Sequence, residues 1–516
     1  MGDRVRIRLH PSGEEVEVAP GSVLRDVLFA FGVEFPCGGQ GDCRRCRVEV
    51  LTGNLRPSQD ETRLLSAAEL QAGWRLACRG RVEGPVTLSV EQHAAPILAD
   101  HSQFSFEPRE GFGVAVDIGT TTLVAQLVEL ATGRILASHT ALNPQGARGS
   151  DVMSRLDYAS RATARVELNS LIQGEVGKLV ADCVTTTDLQ RDALTHVVLV
   201  GNTAMHHLFS GLELQTLARA PFEPADTGLQ EFSAGDLGWD VAGDVVVRFL
   251  PCLGGFVGSD ILAGVLATRM HESSTLTALI DLGTNGEIVI GSRERLLCAS
   301  TAAGPAFEAG GIAQGMRATR GAIDQVRVGS NTSDELRCHV VGGGRAKGIC
   351  GSGLVDAVAA GLDNGLIEAS GRLAGDGHKR LDLVDSVHLT QSDIRQLQLA
   401  KGAVAAGIRI LLGRLGKSER DLQHLFLAGA FGNYVNRASA ERIGLIPARA
   451  ENCDAMGNSA LLGAKLALFS TCSADLEFGD LRQRVEHIPL ASSQEFHEIF
   501  IQQTRFPEAA RMTPQL

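Results

Sequence analysis

The sequence predicts an α/β protein of several domains, and three observations carry that expectation. An apolar strand that ends in aspartate and runs into a Gly-Thr turn occurs twice, at Asp117 and again at Asp281. Near the N-terminus, short alternating apolar runs flank a glycine-rich stretch holding three cysteines. The chain has 516 residues, with 59 glycines but only two Trp and two Tyr, which suits an enzyme built on tight turns and calls for two or three folding units.

Lys plus Arg number 48 against 60 Asp plus Glu, a formal net charge of −12, which argues against nucleic acid as the main partner. The first residues alternate polar and apolar side chains without the apolar run of an export signal. No segment reaches about 18 uncharged apolar residues, so no membrane span is expected and a cytoplasmic location is. Eleven cysteines, an odd number in a long chain, do not form a disulfide framework; a tight cluster of them in a reducing compartment reads as metal ligands.

The first domain is expected over residues 1–95. Val5 to Leu9 and the alternating Val16 and Val18 read as a hairpin. Ser22 is placed to cap a short helix with Val23, Val27 and Leu28 on its apolar face. Then CGGQGDCRRC sets Cys37, Cys43 and Cys46 in a C-x5-C-x2-C spacing, and thirty-one residues separate Cys46 from Cys78. Four thiolates are what a 2Fe-2S cluster needs, two for each iron, and glycines between them let backbone approach the sulfides. Zinc also accepts four cysteines but usually takes them as two close pairs, not as three on one loop and one alone. Arg44, Arg45 and Arg47 form either a solvated edge or a docking face for an acidic electron partner. Val48 to Leu51 and Val86 to Val90 read as the remaining strands.

Residues 96–111 keep no sustained period and read as a linker. Gly113 to Asp117 is then a strand, and the turn Gly119-Thr120-Thr121-Thr122 offers amides and hydroxyls to phosphate while Asp117 can hold Mg2+. By itself this could be a polar hairpin. The device recurs at Asp281, with Gly283-Thr284-Asn285-Gly286 as its turn, and two such units can grip a nucleotide from both sides. Neither matches the P-loop pattern. A third element, Gly429-Ala430-Phe431-Gly432-Asn433, follows the strand Leu425 to Leu427 and can lay its turn against adenine and ribose. Asn202 and Thr203, in GNTAMHHL, are placed to line the cleft. His206 and His207 beside them read as parts of a structural turn in preference to cobalt ligands. Cys252, Cys298, Cys350 and Cys453 read as packed thiols.

On the cysteine loop, residues 1–95 resemble the 2Fe-2S ferredoxins, the x5 spacing being similar to the adrenodoxin and putidaredoxin branch; a β-grasp fold is implied. Residues 112–470 resemble the actin, Hsp70 and sugar-kinase (ASKHA) superfamily, which implies two RNase-H-like lobes, drawn here as 112–275 and 276–475, with 476–516 as a C-terminal extension. Asp117 to Thr122, Asp281 to Glu287 and Gly429 to Asn433 look like that superfamily's two phosphate motifs and its adenosine motif. With GNTAMHHL, STAAGPAFEAGGI and GICGSGLVDAV added, the whole chain resembles the reductive activators of corrinoid proteins. That resemblance implies ATP-dependent electron transfer from the cluster to an inactive Co(II) corrinoid protein or methyltransferase, restoring Co(I). It also implies Mg2+ on the phosphates and an external low-potential electron donor. The sequence is compatible with a homodimer. Longer bacterial members carry an additional domain between ferredoxin and ATP lobes, whereas here the first phosphate strand follows the linker directly. The competing functions are an activator of another low-potential metalloenzyme and a small-molecule kinase fused to a ferredoxin. No residue of this sequence stands out as the base a kinase would need.

Overall fold

The computed structural model describes residues 4–10, 13–28, 31, 33, 46–90, 106–187, 189–190, 193–283, 285–329, 336–375, 380–447, 452–470, 476, 478–490 and 493–508. They form two compact units, one of residues 1–97, 108–226 and 230–249, the other of 98–107, 227–229 and 250–516.

The N-terminal domain is a mixed five-stranded sheet. Val5–His10 hairpins with Glu15–Val18 and pairs in parallel with Val86–Ser89, which continues through Arg47–Gly53 to Trp74–Leu76. The strict alternation of VRIRLH buries Val5, Ile7 and Leu9 on one face, where they meet Leu24, Leu28, Val48, Leu76 and Leu88. Ser22 does not cap the following helix. It lies in a two-residue strand paired with Arg81–Val82, and the helix begins at Leu24, a core residue. Because the helix starts at Leu24, Val23 and not Ser22 immediately precedes it, and Ser22 is one residue too early to cap it.

Each Asp-Gly-Thr strand-turn-strand unit opens a sheet of one design. In the first unit Phe112–Ile118, Thr122–Glu129 and Arg134–Leu142 form an antiparallel meander, and the first of them pairs on its other edge, in parallel, with Leu194–Gly201. The second unit repeats this with Thr277–Leu282, Gly286–Ser292 and Arg295–Thr301, the first strand pairing in parallel with His424–Ala428. Both are the expected RNase-H-like arrangement, in which the aspartate ends the central strand. The near-continuous apolar runs of these strands follow from burial on both faces. Ala162–Thr186 covers the first sheet, and Gln391–Arg414 the second, where Gly407 lets Ile288 and Thr301 approach the helix backbone.

The helix Ser259–Thr268 packs within the second unit against Ser459–Ala467. Their contact is made close by glycine: a Cβ on Gly463 would stand 2.1 Å from the Ala263 carbonyl oxygen. Gly463→Val is therefore expected to destabilise the second unit by about 2–3 kcal/mol through forced separation of the two helices. Urea unfolding followed by circular dichroism checks this, and an unchanged midpoint would contradict the packing. Val485–His487 adds a strand beside Arg295–Thr301, and Gln494–Gln503 packs on Gln391–Arg414. Lys401 donates to the Arg505 carbonyl, and Phe506 donates its amide to the Ala369 carbonyl.

Candidate functional site

Cys37 and Cys43 lie outside the described residues; the sheet places Cys46 opposite Ala77, the residue before Cys78. Arg47 opposes Leu76 in the antiparallel pair, and the Ala77 amide donates to the Cys46 carbonyl at 2.8 Å. Residues distant in sequence thus meet at one end of two paired strands. Both are nearly buried, Cys46 at 1% and Cys78 at 5% exposure, in an apolar surround that suits soft iron-thiolate bonding. Glu61 supports this end: its carboxylate accepts the Leu76 amide at 2.7 Å and the Ser58 amide at 2.6 Å. Arg47, one of the three arginines expected at the rim, stacks over Trp74 at 4.6 Å and pairs with Glu69 at 3.1 Å; Arg44 and Arg45 lie outside the described residues.

The Gly119–Thr122 turn is tight. The Gly119 amide donates to the Thr122 carbonyl at 3.0 Å, and a Cβ on Gly119 would fall 2.6 Å from that oxygen. Asp117 ends the strand beside Val200 of the parallel neighbour. Asn202, at the end of that neighbour, caps the helix Thr203–Ser210 through the Met205 amide and donates to Thr120 Oγ1 at 2.9 Å. Of the two polar residues expected there, Asn202 reaches the turn, whereas Thr203 is fully buried in the first helical turn. His206 and His207 are also buried. His206 packs edge-on against Phe249 at 5.0 Å, and His207 Nδ1 bonds the Thr203 carbonyl oxygen at 2.8 Å. Burial pushes the His207 imidazole below its usual range, favouring the neutral form.

Two further residues at this turn carry no motif. Asn143 Nδ2 donates to the Gly119 carbonyl at 2.9 Å, and Arg155 donates through Nη2 to the Thr120 carbonyl. Arg155 is 1% exposed, and its helix Val152–Tyr158 also buries Val152 and Leu156. The sequence holds one signal for it: Val152, Arg155, Leu156 and Ala159 share the i, i+3, i+4, i+7 stripe that faces inward.

In the second unit Asp281 ends its strand opposite Ala428 on one side and Glu287 on the other. Gly429 has φ of +80°, and a Cβ there would come within 2.5 Å of Asp281 Oδ1, so the second and third motifs are in contact. Glu287 is buried, and desolvation reinforced by Asp260 and Asp281 holds its carboxyl well above the usual carboxylate range. Asp281 is partly exposed, whereas Glu287 is buried. Among the described residues no three His, Cys, Asp or Glu side chains converge to hold a metal. Mg2+ commonly needs only one or two carboxylates beside phosphate oxygens.

Gly283 donates its amide to the Asn285 carbonyl at 3.0 Å. Gly286 begins the next strand with Val404 and Thr301 packed where a Cβ would project. Thr284 lies outside the described residues. The third motif is not a turn. Gly429–Tyr434, which contains Ala430, Gly432 and Asn433, enters a short helix directly from its strand. Phe431 is buried and stacks on Phe307 at 4.8 Å, so its ring joins the core and links this motif to STAAGPAFEAGGI. Gly351 completes the junction, because a Cβ there would overlap the Phe307 carbonyl. Cys252, Cys298, Cys350 and Cys453 are all buried, and burial pushes the Cys298 thiol well up, as packed thiols should be.

A family model described as the C-terminal domain of RACo, the ASKHA domain, matches residues 275–516. The RACo middle region matches 112–273, and the 2Fe-2S iron-sulfur cluster binding domain matches 7–83. The chain is 33% identical over 427 residues to the corrinoid activation enzyme RamQ of Eubacterium limosum, covering 77% of this chain and 70% of that protein. It is 26% identical over 419 residues to the Co(II) methylated amine-specific corrinoid protein reductase of Methanosarcina barkeri, covering 76% of each. The solved structure of a reductive activator for corrinoid, iron-sulfur protein superposes with a TM-score of 0.67 at 25% identity, over 99% of this chain and 100% of that one.

Proposed function

This chain belongs to the RACo-like reductive activators of corrinoid proteins, and from that premise we propose how its residues divide the work. The activity is ATP-dependent restoration of Co(I) in a corrinoid protein or methyltransferase that oxidation has left as Co(II). The Co(II) centre of the partner gains one electron, and a low-potential donor outside the chain loses it.

Cys37, Cys43, Cys46 and Cys78 are the proposed holders of the 2Fe-2S cluster, which supplies one-electron storage when bound. The buried surround of Cys46 and Cys78 restricts water at that end of the sheet. Asp117 and Asp281 are the proposed Mg2+ anchors, one in each unit, with the Gly119–Thr122 and Gly283–Gly286 turns donating to phosphate oxygens. Gly429 gives the backbone close access to Asp281. No phosphoryl acceptor other than water is needed, because ATP binding and its hydrolysis to ADP and phosphate, by favouring different states of the protein, can drive an unfavourable electron transfer.

The observation that carries this reading is the presence in one chain of a ferredoxin-like cysteine pair and of two Asp-ended strand-turn-strand sheets. The expected result is that Co(II) absorbance of a corrinoid protein is lost under anaerobic conditions with a strong reductant and Mg-ATP, and persists when ATP is omitted. Equal rates with and without ATP would remove the coupling. Phosphorylation of a sugar or acid with no effect on cobalt would favour the kinase instead.

A further inference from the structure

All three carbonyls of residues 119–121 are engaged from one set of partners. Gly119 O accepts from Asn143 Nδ2 at 2.9 Å, Thr120 O accepts from Arg155 Nη2, and Thr121 O accepts from the Asn143 amide at 2.8 Å. In a trans peptide the N–H points opposite to the C=O of the same unit. Tying the Gly119 and Thr120 carbonyls to these donors therefore turns the amides of Thr120 and Thr121 the other way. A free turn would present both groups by rotation, and carbonyl oxygens repel phosphate.

The two donors are themselves fixed. Arg155 Nε donates to the Gly149 carbonyl at 2.8 Å and Nη1 to Gln145 Oε1 at 3.3 Å. Asn143 Oδ1 accepts the Gln145 amide at 3.1 Å, and Gln145 donates to the Leu168 carbonyl at 2.9 Å, which ties the set to the long covering helix. Asn143, Gln145 and Arg155 are all buried. Burial lowers the Arg155 guanidinium to about 9 against the opposing pull of Asp151, so it stays charged at neutral pH. A fixed positive charge beside the turn also suits an anion.

We propose that Arg155, with Asn143, is a positioning residue that holds the Gly119–Thr122 turn with the amides of Thr120 and Thr121 presented to the phosphates of ATP. The inference rests on the reading of that turn as a phosphate device. Lysine at 155 keeps the charge but cannot make the forked set of bonds.

Full-length protein with its cluster loaded is compared as wild type, Arg155→Lys, Asn143→Asp and Asp117→Asn, by calorimetric binding of Mg-ATP and of AMP. Arg155→Lys is expected to weaken Mg-ATP about tenfold or more while AMP, which lacks the outer phosphates, changes less than about twofold. A folded Arg155→Lys protein with wild-type ATP affinity, or one that loses ATP and AMP equally, overturns the proposal. Should Arg155→Lys not fold, Asn143→Asp decides, with about three- to tenfold weaker ATP expected and no change overturning it. If Asp117→Asn weakens ATP and Arg155→Lys does not, the positioning role alone fails. If neither weakens it, the reading of the turn as a phosphate device fails as well.

Discussion

Asp281→Ala is expected to lower ATP-dependent Co(II) reduction by about a hundredfold or more while leaving the two-iron visible spectrum unchanged. Asp281 ends the central strand of the second sheet, in register with Ala428 and Glu287, and its carboxylate lies against the space over Gly429. Glu287 cannot readily replace it, because its carboxyl is buried and held above the usual range partly by Asp281 itself. Removing the Asp281 charge lets Glu287 ionise more easily, but at a buried position one strand away. The sheet should survive, since Ile280 and Leu282 supply the packing on either side. The cysteines lie in the other unit, so the cluster should still accept an electron from an artificial donor. Cobalt absorbance and phosphate release are followed together at matched cluster content. Near-normal ATP-stimulated Co(I) formation by the variant would reject Asp281 as an essential anchor.

The complementary variant, Cys78→Ser, is expected to lose most of its iron and inorganic sulfide, with collapse of the visible spectrum, while retaining ATP binding. A hydroxyl is a harder and far less acidic donor than a thiol, and here it would sit where a thiolate is required. The strand pairing that sets Cys46 opposite the residue before Cys78 runs through backbone groups, the Ala77 amide on the Cys46 carbonyl and the register of Arg47 with Leu76. The substitution leaves those bonds in place, and Leu76 and Val82 keep the small core intact. Metal analysis, the visible spectrum and calorimetric ATP binding separate the two effects. Wild-type iron and sulfide content would remove Cys78 from the ligand set, and loss of ATP binding would mean that the two functions do not reside in separate parts of the chain.

Features legible in the sequence were those written in consecutive residues. Alternation in VRIRLH placed Val5, Ile7 and Leu9 inward, and the apolar runs before Asp117 and Asp281 became central strands that end at those aspartates. The small residues of AKGAVAAGIRILLGRLG suit the helix Gln391–Arg414, where Gly407 lies close against Ile288 and Thr301 of the sheet. Less was legible where a residue's fate depended on a distant partner. Ser22 had the chemistry of a cap but pairs with Val82 one residue too early to serve as one, and Phe431 had the place of a ligand contact but stacked on Phe307.

By itself the sequence determined the order of the domains, the four cysteine positions, the duplicated Asp-Gly-Thr turns and the family to which they point, because spacing and periodicity are local properties of a chain. Only the tertiary structure decided that the helix Ser259–Thr268 packs in the second unit, that Cys46 lies opposite the residue before Cys78, and that Asn143 and Arg155 hold the first turn. Those contacts join residues far apart in the chain. A buried carbonyl must find a donor wherever the fold supplies one, and no local pattern says which residue that will be.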